Sequence, residues 1–198
     1  MSPALDGEVL VVLAGTKRPL TGREVAKLAR WGSQRGVQEA LRRVTLHGIV
    51  DAQESGAAIL YALNYDHVLA QAVEVLARAR EDFLQRLIKE IGGWKLRPYH
   101  ASLFGSAARG EGDTHSDIDV FMVRPTQVVE GNSAWRAQLE ALAQKVRRWT
   151  GNELGLSEVS RGELRRLRSK MPAVVSELRR DAIRIVGPPV ESILGAAS

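Results

Sequence analysis

The 198-residue sequence predicts an α/β (α+β) chain in two parts: a helical module closed by a β-hairpin, then a small mixed sheet flanked by helices. Three observations carry that expectation. Residues 21–63 contain two capped helix starts followed by two strand-like runs. A stripe of apolar residues at helical spacing fills 68–88. Two more strand-like runs, 99–104 and 118–123, bracket a stretch rich in glycine and acid. The expected boundaries are 1–65 for the first domain, 66–96 for a linker helix and 97–198 for the second domain. With 44% hydrophobic and 26% charged residues, the chain has enough apolar surface to bury a core.

Val9 to Leu13 reads as the end of a first helix, and 15–19 as a loop. Thr21 and Glu24 form a capping box, in which each side chain satisfies an amide at the other's position. The helix they open carries Val25, Leu28 and Ala29 on one face and is expected to end at Trp31-Gly32. Ser33 caps the next helix, which runs to about Leu46 with Val37, Leu41 and Val44 at helical spacing. Strand-like runs at 49–53 and 58–63 around Glu54-Ser55-Gly56 predict a hairpin. Asp66 is expected to start a long helix reaching about Ile91, closed by Gly92-Gly93, with Val68, Leu69, Val73, Leu76, Phe83, Leu84, Leu87 and Ile88 as its apolar stripe. Later elements are a helix at 134–149, a strand at 152–159, a helical tail with a break at Pro172, and a final strand at 182–186.

Composition removes several classes of chemistry. There is no cysteine, so disulfides, thiolate zinc sites and cysteine nucleophiles are excluded. No apolar run approaches the ~18 residues of a membrane span. Asp6 and Glu8 precede any Lys or Arg, the reverse of a secretory leader, and a cytoplasmic protein is expected. The Gly-x₄-Gly-Lys-Ser/Thr phosphate loop is missing. Lys and Arg total 28 against 23 Asp and Glu, a net charge of +5 that suits a polyanionic partner or serves solubility alone.

Three helices and a hairpin in the first 65 residues resemble a winged helix-turn-helix module, which lays its third helix in the major groove of DNA. That helix would offer Gln34, Arg35, Gln38, Arg42 and Arg43, residue types that meet phosphates and base edges. The hairpin argues the other way, since 51–56 holds Asp51 and Glu54 and no cation. Use of the module for dimerisation or partner docking is the alternative, and a homodimer is one expected partner.

The chemistry sits in the second half. Gly105-Ser106 follows a strand, and Asp117-Ile118-Asp119 opens the next one after ten intervening residues. Two aspartates two residues apart on a strand share a face. Two hard oxygen donors there suit Mg²⁺ or Mn²⁺. Gly105 lets the backbone approach a phosphate, and Ser106 offers a hydroxyl and an amide at an expected helix N-terminus.

The run Leu103-Phe104-Gly105-Ser106-Ala107-Ala108-Arg109-Gly110 with Ser116-Asp117-Ile118-Asp119 resembles the minimal nucleotidyltransferases of the DNA polymerase β-like superfamily. The match covers about residues 97–195 and leaves out the first 65. It implies a polymerase β-like fold and transfer of a nucleoside monophosphate from an NTP, ATP first, to an RNA or protein acceptor. It implies metal ligation by Asp117 and Asp119, and phosphate binding by Gly105, Ser106 and possible reach from Arg109, for which a salt bridge or surface position is equally open. Such proteins often belong to toxin–antitoxin systems. The alternative function is a winged-helix transcriptional regulator that keeps the nucleotidyltransferase fold as a nucleotide sensor.

The family also uses a third carboxylate on a later strand, for which Glu158 and Glu153 both qualify. Glu158 is favoured as metal ligand and catalytic group because it lies in phase with Leu154 and Leu156, where a partly buried carboxylate needs a reason. Neither is the aspartate expected from the resemblance. His100 and the Trp135/Trp149 pair read as structural, and His115 as a solvated loop residue. Between Ser160 and Arg184 eight cations (Arg161, Arg165, Arg166, Arg168, Lys170, Arg179, Arg180, Arg184) face three acids, either a solvated helix face or a basic rim for an RNA acceptor.

Overall fold

The computed structural model describes residues 3–110, 116–164, 166 and 172–195. The chain divides into two compact units, residues 1–81 and 82–198. The division falls inside one long helix.

The first unit orders its elements as α1 (Pro3–Ala14), β1 (Leu20–Thr21), α2 (Gly22–Leu28), α3 (Gln34–Leu46), β2 (Val50–Ser55) and β3 (Ala58–Leu63). The strands form an antiparallel sheet in the order β1-β3-β2. The expected capping box is present: the Glu24 amide donates to Thr21 Oγ1, and the Thr21 amide donates to the Glu24 carboxylate at 2.8 Å. Arg18 donates to the same carboxylate, and together these bonds hold Glu24 down to about 2. Helix α2 stops at Leu28, three residues before the expected Trp31, because Ala29 leaves the helical region. Ser33 caps α3 by accepting from the Gly36 amide at 3.1 Å. Val9, Leu13, Val25, Val37, Leu41 and Val50 close the core. Glu8 is buried there, and the Arg30 amide and guanidinium supply the partners that a buried charge requires.

Helix α4 runs Ala70–Gly92 and so starts four residues later than the sequence suggests. Residues 64–69 are a turn instead: Asn64 Oδ1 accepts from the Asp66 amide, and the His67 ring accepts from the Leu69 amide. Of the expected stripe, Val73 and Leu87 are buried, whereas Val68, Leu69 and Leu76 are exposed.

The second unit contains the end of α4, then β4 (His100–Phe104), α5 (Gly105–Arg109), β5 (Ile118–Arg124), α6 (Ser133–Thr150), β6 (Leu154–Ser160), α7 (Pro172–Asp181), β7 (Ile183–Val186) and α8 (Val190–Leu194). Its sheet runs β6-β5-β4-β7. β5 and β6 pair in parallel, which requires a crossover, and α6 provides it. The other pairs are antiparallel. Val120 and Met122 on one sheet face join a core with Leu87, Trp94, Trp135 and Leu142 from α4, its exit and α6. Phe104 and Phe121 on the other face pack with Val175 and Leu178 of α7 and Val190 and Leu194 of α8. Trp135 is buried and Trp149 packs edge-on against Phe83, so both tryptophans serve the core as the sequence suggests. This is the mixed-sheet architecture consistent with the polymerase β-like fold expected for the second domain.

Candidate active site

The end of β4 and the start of β5 bring the signature together. Phe104 and Asp119 are register partners, so the turn into α5 starts beside the Asp119 carboxylate. Gly105 has φ +70°, a region that disfavours side chains, and a Cβ there would stand 2.7 Å from Asp119 Oδ2. On the other side Asp119 pairs with Gly155 of β6. A Cβ on Gly155 would stand 2.6 Å from Asp119 Oδ1 and 3.5 Å from the Asp117 Cβ. Two glycines on two different strand ends therefore cradle one carboxylate, with Asp117 alongside. The start of β5 is pinned to β6 by the Ile118 amide, which donates to the Glu153 carbonyl at 2.9 Å, and by Asn152 Nδ2, which donates to the Ser116 carbonyl.

Burial raises the Asp119 carboxyl above the usual range, and the charges of Asp117 and then Glu177 raise it further. Glu177 lies on α7, whose Val175 and Leu178 pack on the same sheet face as Asp119. Sequence reasoning missed Glu177, counting it only as one acid among the tail's cations. No pattern along the chain links it to a motif almost 60 residues earlier. Among the described residues, no group of three His, Asp or Glu side chains is gathered for a metal ion. The donors at hand are the hard oxygens of Asp117 and Asp119, the type that divalent Mg²⁺ and Mn²⁺ take.

Glu158 stands elsewhere. Asp119 is opposite Gly155 and Met122 is opposite Glu158, so Glu158 occupies the other face of the sheet. It does lie in phase with Leu154 and Leu156, but that is the face covered by α6. Its carboxylate accepts from Arg124 Nη1 and from the Trp135 indole N–H, each at 2.9 Å. This ion pair supplies the reason for its burial, and it corrects the expectation of Glu158 as the third carboxylate. Glu153 has the phase of Asp119 but precedes β6, is exposed, and is paired with Arg147.

Ser106 is the second residue of α5. Arg109 ends α5, and its Nη1 donates to Asp181 at 2.6 Å. His100 is fully buried, with its ring nitrogens against the Pro188 carbonyl and Ser102 Oγ; burial lowers its pKa. It is structural, as expected. His115 lies outside the described residues, as do Arg165, Arg168 and Lys170 of the basic tail. Of the others, Arg161 stacks on Tyr99 and Arg180 pairs with Asp181.

In the first unit, Gln34, Arg35, Gln38 and Arg42 are exposed on α3. Arg43 is not part of that face. Asp6 of α1 holds its guanidinium at 2.5 and 3.1 Å, so it ties two helices together.

Residues 81–195 match the family model described as Nucleotidyltransferase domain. The match spans more than half of the chain, and the chain belongs to this family of nucleotidyltransferase enzymes. Among solved structures it is similar to a toxin–antitoxin complex with AMP-PNP, at 19% identity and a TM-score of 0.38, over 56% of this chain and 80% of that one. A mutant of the toxin–antitoxin MntA-HpeT shows 17% identity and a TM-score of 0.38 over the same shares. Human N-acetylserotonin methyltransferase in complex with SAM shows 18% identity and a TM-score of 0.30, over 44% of this chain and 29% of that one. Among curated proteins none matches. No helix among the described residues is long and apolar enough to cross a membrane.

Proposed function

We propose that this chain transfers a nucleoside monophosphate from an NTP, with ATP the first candidate, to an RNA or protein acceptor. The acceptor oxygen bonds to the α-phosphorus, the bond to the bridging oxygen breaks, and pyrophosphate leaves. The observation that carries this reading is the Asp119 carboxylate cradled by Gly105 and Gly155, with Asp117 alongside. A carboxylate pair with side-chain-free walls fits Mg²⁺ or Mn²⁺, which Asp117 and Asp119 would hold. Bound there, the ion supplies neutralisation of triphosphate charge and a lowered pKa for the acceptor hydroxyl. Gly105 and Ser106 receive the β- and γ-phosphates, and Arg109 adds positive charge beside them. Positioning and charge stabilisation are the main part of the protein's share in such a transfer. The likeness of 103–110 and 116–119 to minimal nucleotidyltransferases supports a toxin–antitoxin setting.

The first unit supports a second reading. Its element order and three-stranded sheet suit a winged helix, with Gln34, Arg35, Gln38 and Arg42 on the exposed face of α3. On that reading the module binds DNA and the second unit senses nucleotide. Incubation with each labelled NTP, Mg²⁺ and total RNA or lysate separates the two. Label on RNA or protein, lost in Asp117→Asn with Asp119→Asn, supports transfer. NTP binding without any labelled product, together with salt-dependent DNA binding, supports the sensor.

A further inference from the structure

The second unit has a cavity of about 470 Å³ at the end of its sheet away from the aspartates. Its lining includes Tyr99, Thr126, Arg161, Leu164, Ser192 and Ile193. Tyr99 precedes β4, Thr126 follows β5 and Arg161 follows β6, whereas Asp119 stands near the start of β5. At ~3.3 Å per strand residue, the end of β5 at Arg124 is about 16 Å from Asp119, and Thr126 lies beyond it. The cavity therefore serves a different group from the triphosphate at Asp117 and Asp119.

Its walls rest on the core. Tyr99, Leu164 and Ile193 pack against the cluster that holds Phe104, Phe121 and Leu178. The Tyr99 amide donates to the Val123 carbonyl at 2.9 Å, and a Cβ on Gly187 would collide with the Tyr99 carbonyl. Arg161 stands in a turn closed from both sides. The Ser160 amide donates to the Glu163 carboxylate at 2.8 Å, and the Glu163 amide donates to Ser160 Oγ at 3.3 Å. That turn puts the Arg161 guanidinium over the Tyr99 ring, 4.0 Å from its centre. Arg43, Arg109 and Arg124 are each met by a carboxylate. Among the described residues none pairs with Arg161, and the Thr126 and Ser192 hydroxyls have no hydrogen-bond partner.

An anion by itself needs no apolar wall, and an apolar ligand needs no cation. The cavity offers both, with two hydroxyls beside them. One nucleotide of a single-stranded RNA matches that set with its phosphate, its flat base and a ribose 2′-hydroxyl that both donates and accepts. A guanidinium over an aromatic ring keeps its edge N–H groups for phosphate oxygens, and planar groups of this kind are what bases stack on. Arg161 is also the first of the eight cations that face three acids between Ser160 and Arg184, a local charge that favours a polyanion.

We propose that this cavity is an acceptor subsite that holds one nucleotide of a single-stranded RNA. The phosphate lies on Arg161 and the base against the wall of Tyr99, Leu164 and Ile193. This rests on the transfer reading above and selects RNA over protein as the acceptor.

Anisotropy of a labelled single-stranded RNA, titrated with the full chain in the absence of NTP, tests the subsite. Calorimetric titration with ATP and Mg²⁺ is the readout for the other end of the sheet. Arg161 is exposed, so Arg161→Gln is expected to fold normally. It should weaken RNA binding about tenfold, as the loss of a charged hydrogen bond does. It should also reduce the salt slope by about 0.7, the share of one phosphate in a single strand, and leave ATP binding unchanged. Tyr99→Leu should cost about fivefold in RNA affinity, and Tyr99→Phe should bind as the wild type does. DNA of the same sequence should bind more weakly than RNA, and RNA carrying bromouridine should photo-cross-link at Tyr99. RNA affinity and salt slope unchanged in Arg161→Gln overturn the subsite, as do cross-links confined to residues 1–81. A wild type that binds no RNA yet labels protein overturns the subsite and leaves the transfer reading standing. RNA binding lost in Arg161→Gln, with no transfer to any acceptor, upholds the cavity as an RNA site and removes the transfer reading.

Discussion

Glu158 and Asp119 stand on neighbouring strands of one sheet, on opposite faces, and meet opposite surroundings. Glu158 faces α6, where Arg124 and the Trp135 indole satisfy its charge. Asp119 faces glycines and other acids, and its carboxyl is pushed up rather than satisfied. The contrast shows that two partly buried carboxylates of one sheet differ in what surrounds them rather than in burial. An acid given a cation and a donor by its own fold has its charge neutralised within the protein. One surrounded by removed side chains and like charges leaves room and demand for an external cation.

The comparison breaks most directly at Asp119. Asp119→Asn is expected to cut transfer by about a hundredfold or more, the scale of a lost electrostatic stabiliser. It should also abolish the rise in thermal midpoint with Mg²⁺ and NTP, measured by calorimetry. An unchanged rise would move the ligands away from this cradle. Gly155→Ala comes next. Its Cβ would stand 2.6 Å from Asp119 Oδ1, so the carboxylate must turn aside. A displacement of that size is expected to lower transfer by about 10- to 100-fold while the chain still folds, as circular dichroism would report.

Glu158→Gln sharpens the other side of the comparison. It should lower stability by about 2 kcal/mol in denaturant melts, since a hydrogen-bonded ion pair is lost, and leave metal-dependent NTP binding intact. Loss of NTP binding with unchanged stability would return Glu158 to the site. The smallest effect concerns His100, on β4 across the same sheet. Its folded pKa lies below the ordinary value, so the folded state holds fewer protons than the unfolded one. Its contribution is fully present above about pH 6.5 and is lost as pH falls through the folded value. Stability measured from pH 7.5 to 5 should decline, and His100→Gln should flatten that part of the decline.

Much of this was legible along the chain. The capping box at Thr21, the Ser33 cap, the hairpin and the Gly-Ser and Asp-x-Asp elements each depend on residues within a few positions of one another. Local hydrogen bonding and the two-residue period of a strand were enough to place them. The face of β6 was also half legible, since Glu158 does share a side with Leu154 and Leu156. What the sequence left open was which side of the sheet that would be, because it depends on the pairing of Asp119 with Gly155.

The sequence by itself determined that two aspartates two residues apart stand at the start of a strand next to a glycine turn, Asp117 just before β5 and Asp119 on it, and that helices and strands alternate around them. Only the tertiary structure decided which charges meet. Arg43 is taken by Asp6 from another helix, Glu158 by Arg124 from another strand, and Arg109 by Asp181 from a helix 72 residues away. A periodic pattern settles how a segment turns its side chains. The partner those side chains find depends on the packing of whole elements, whose free energy is summed over many distant contacts and has no local signature.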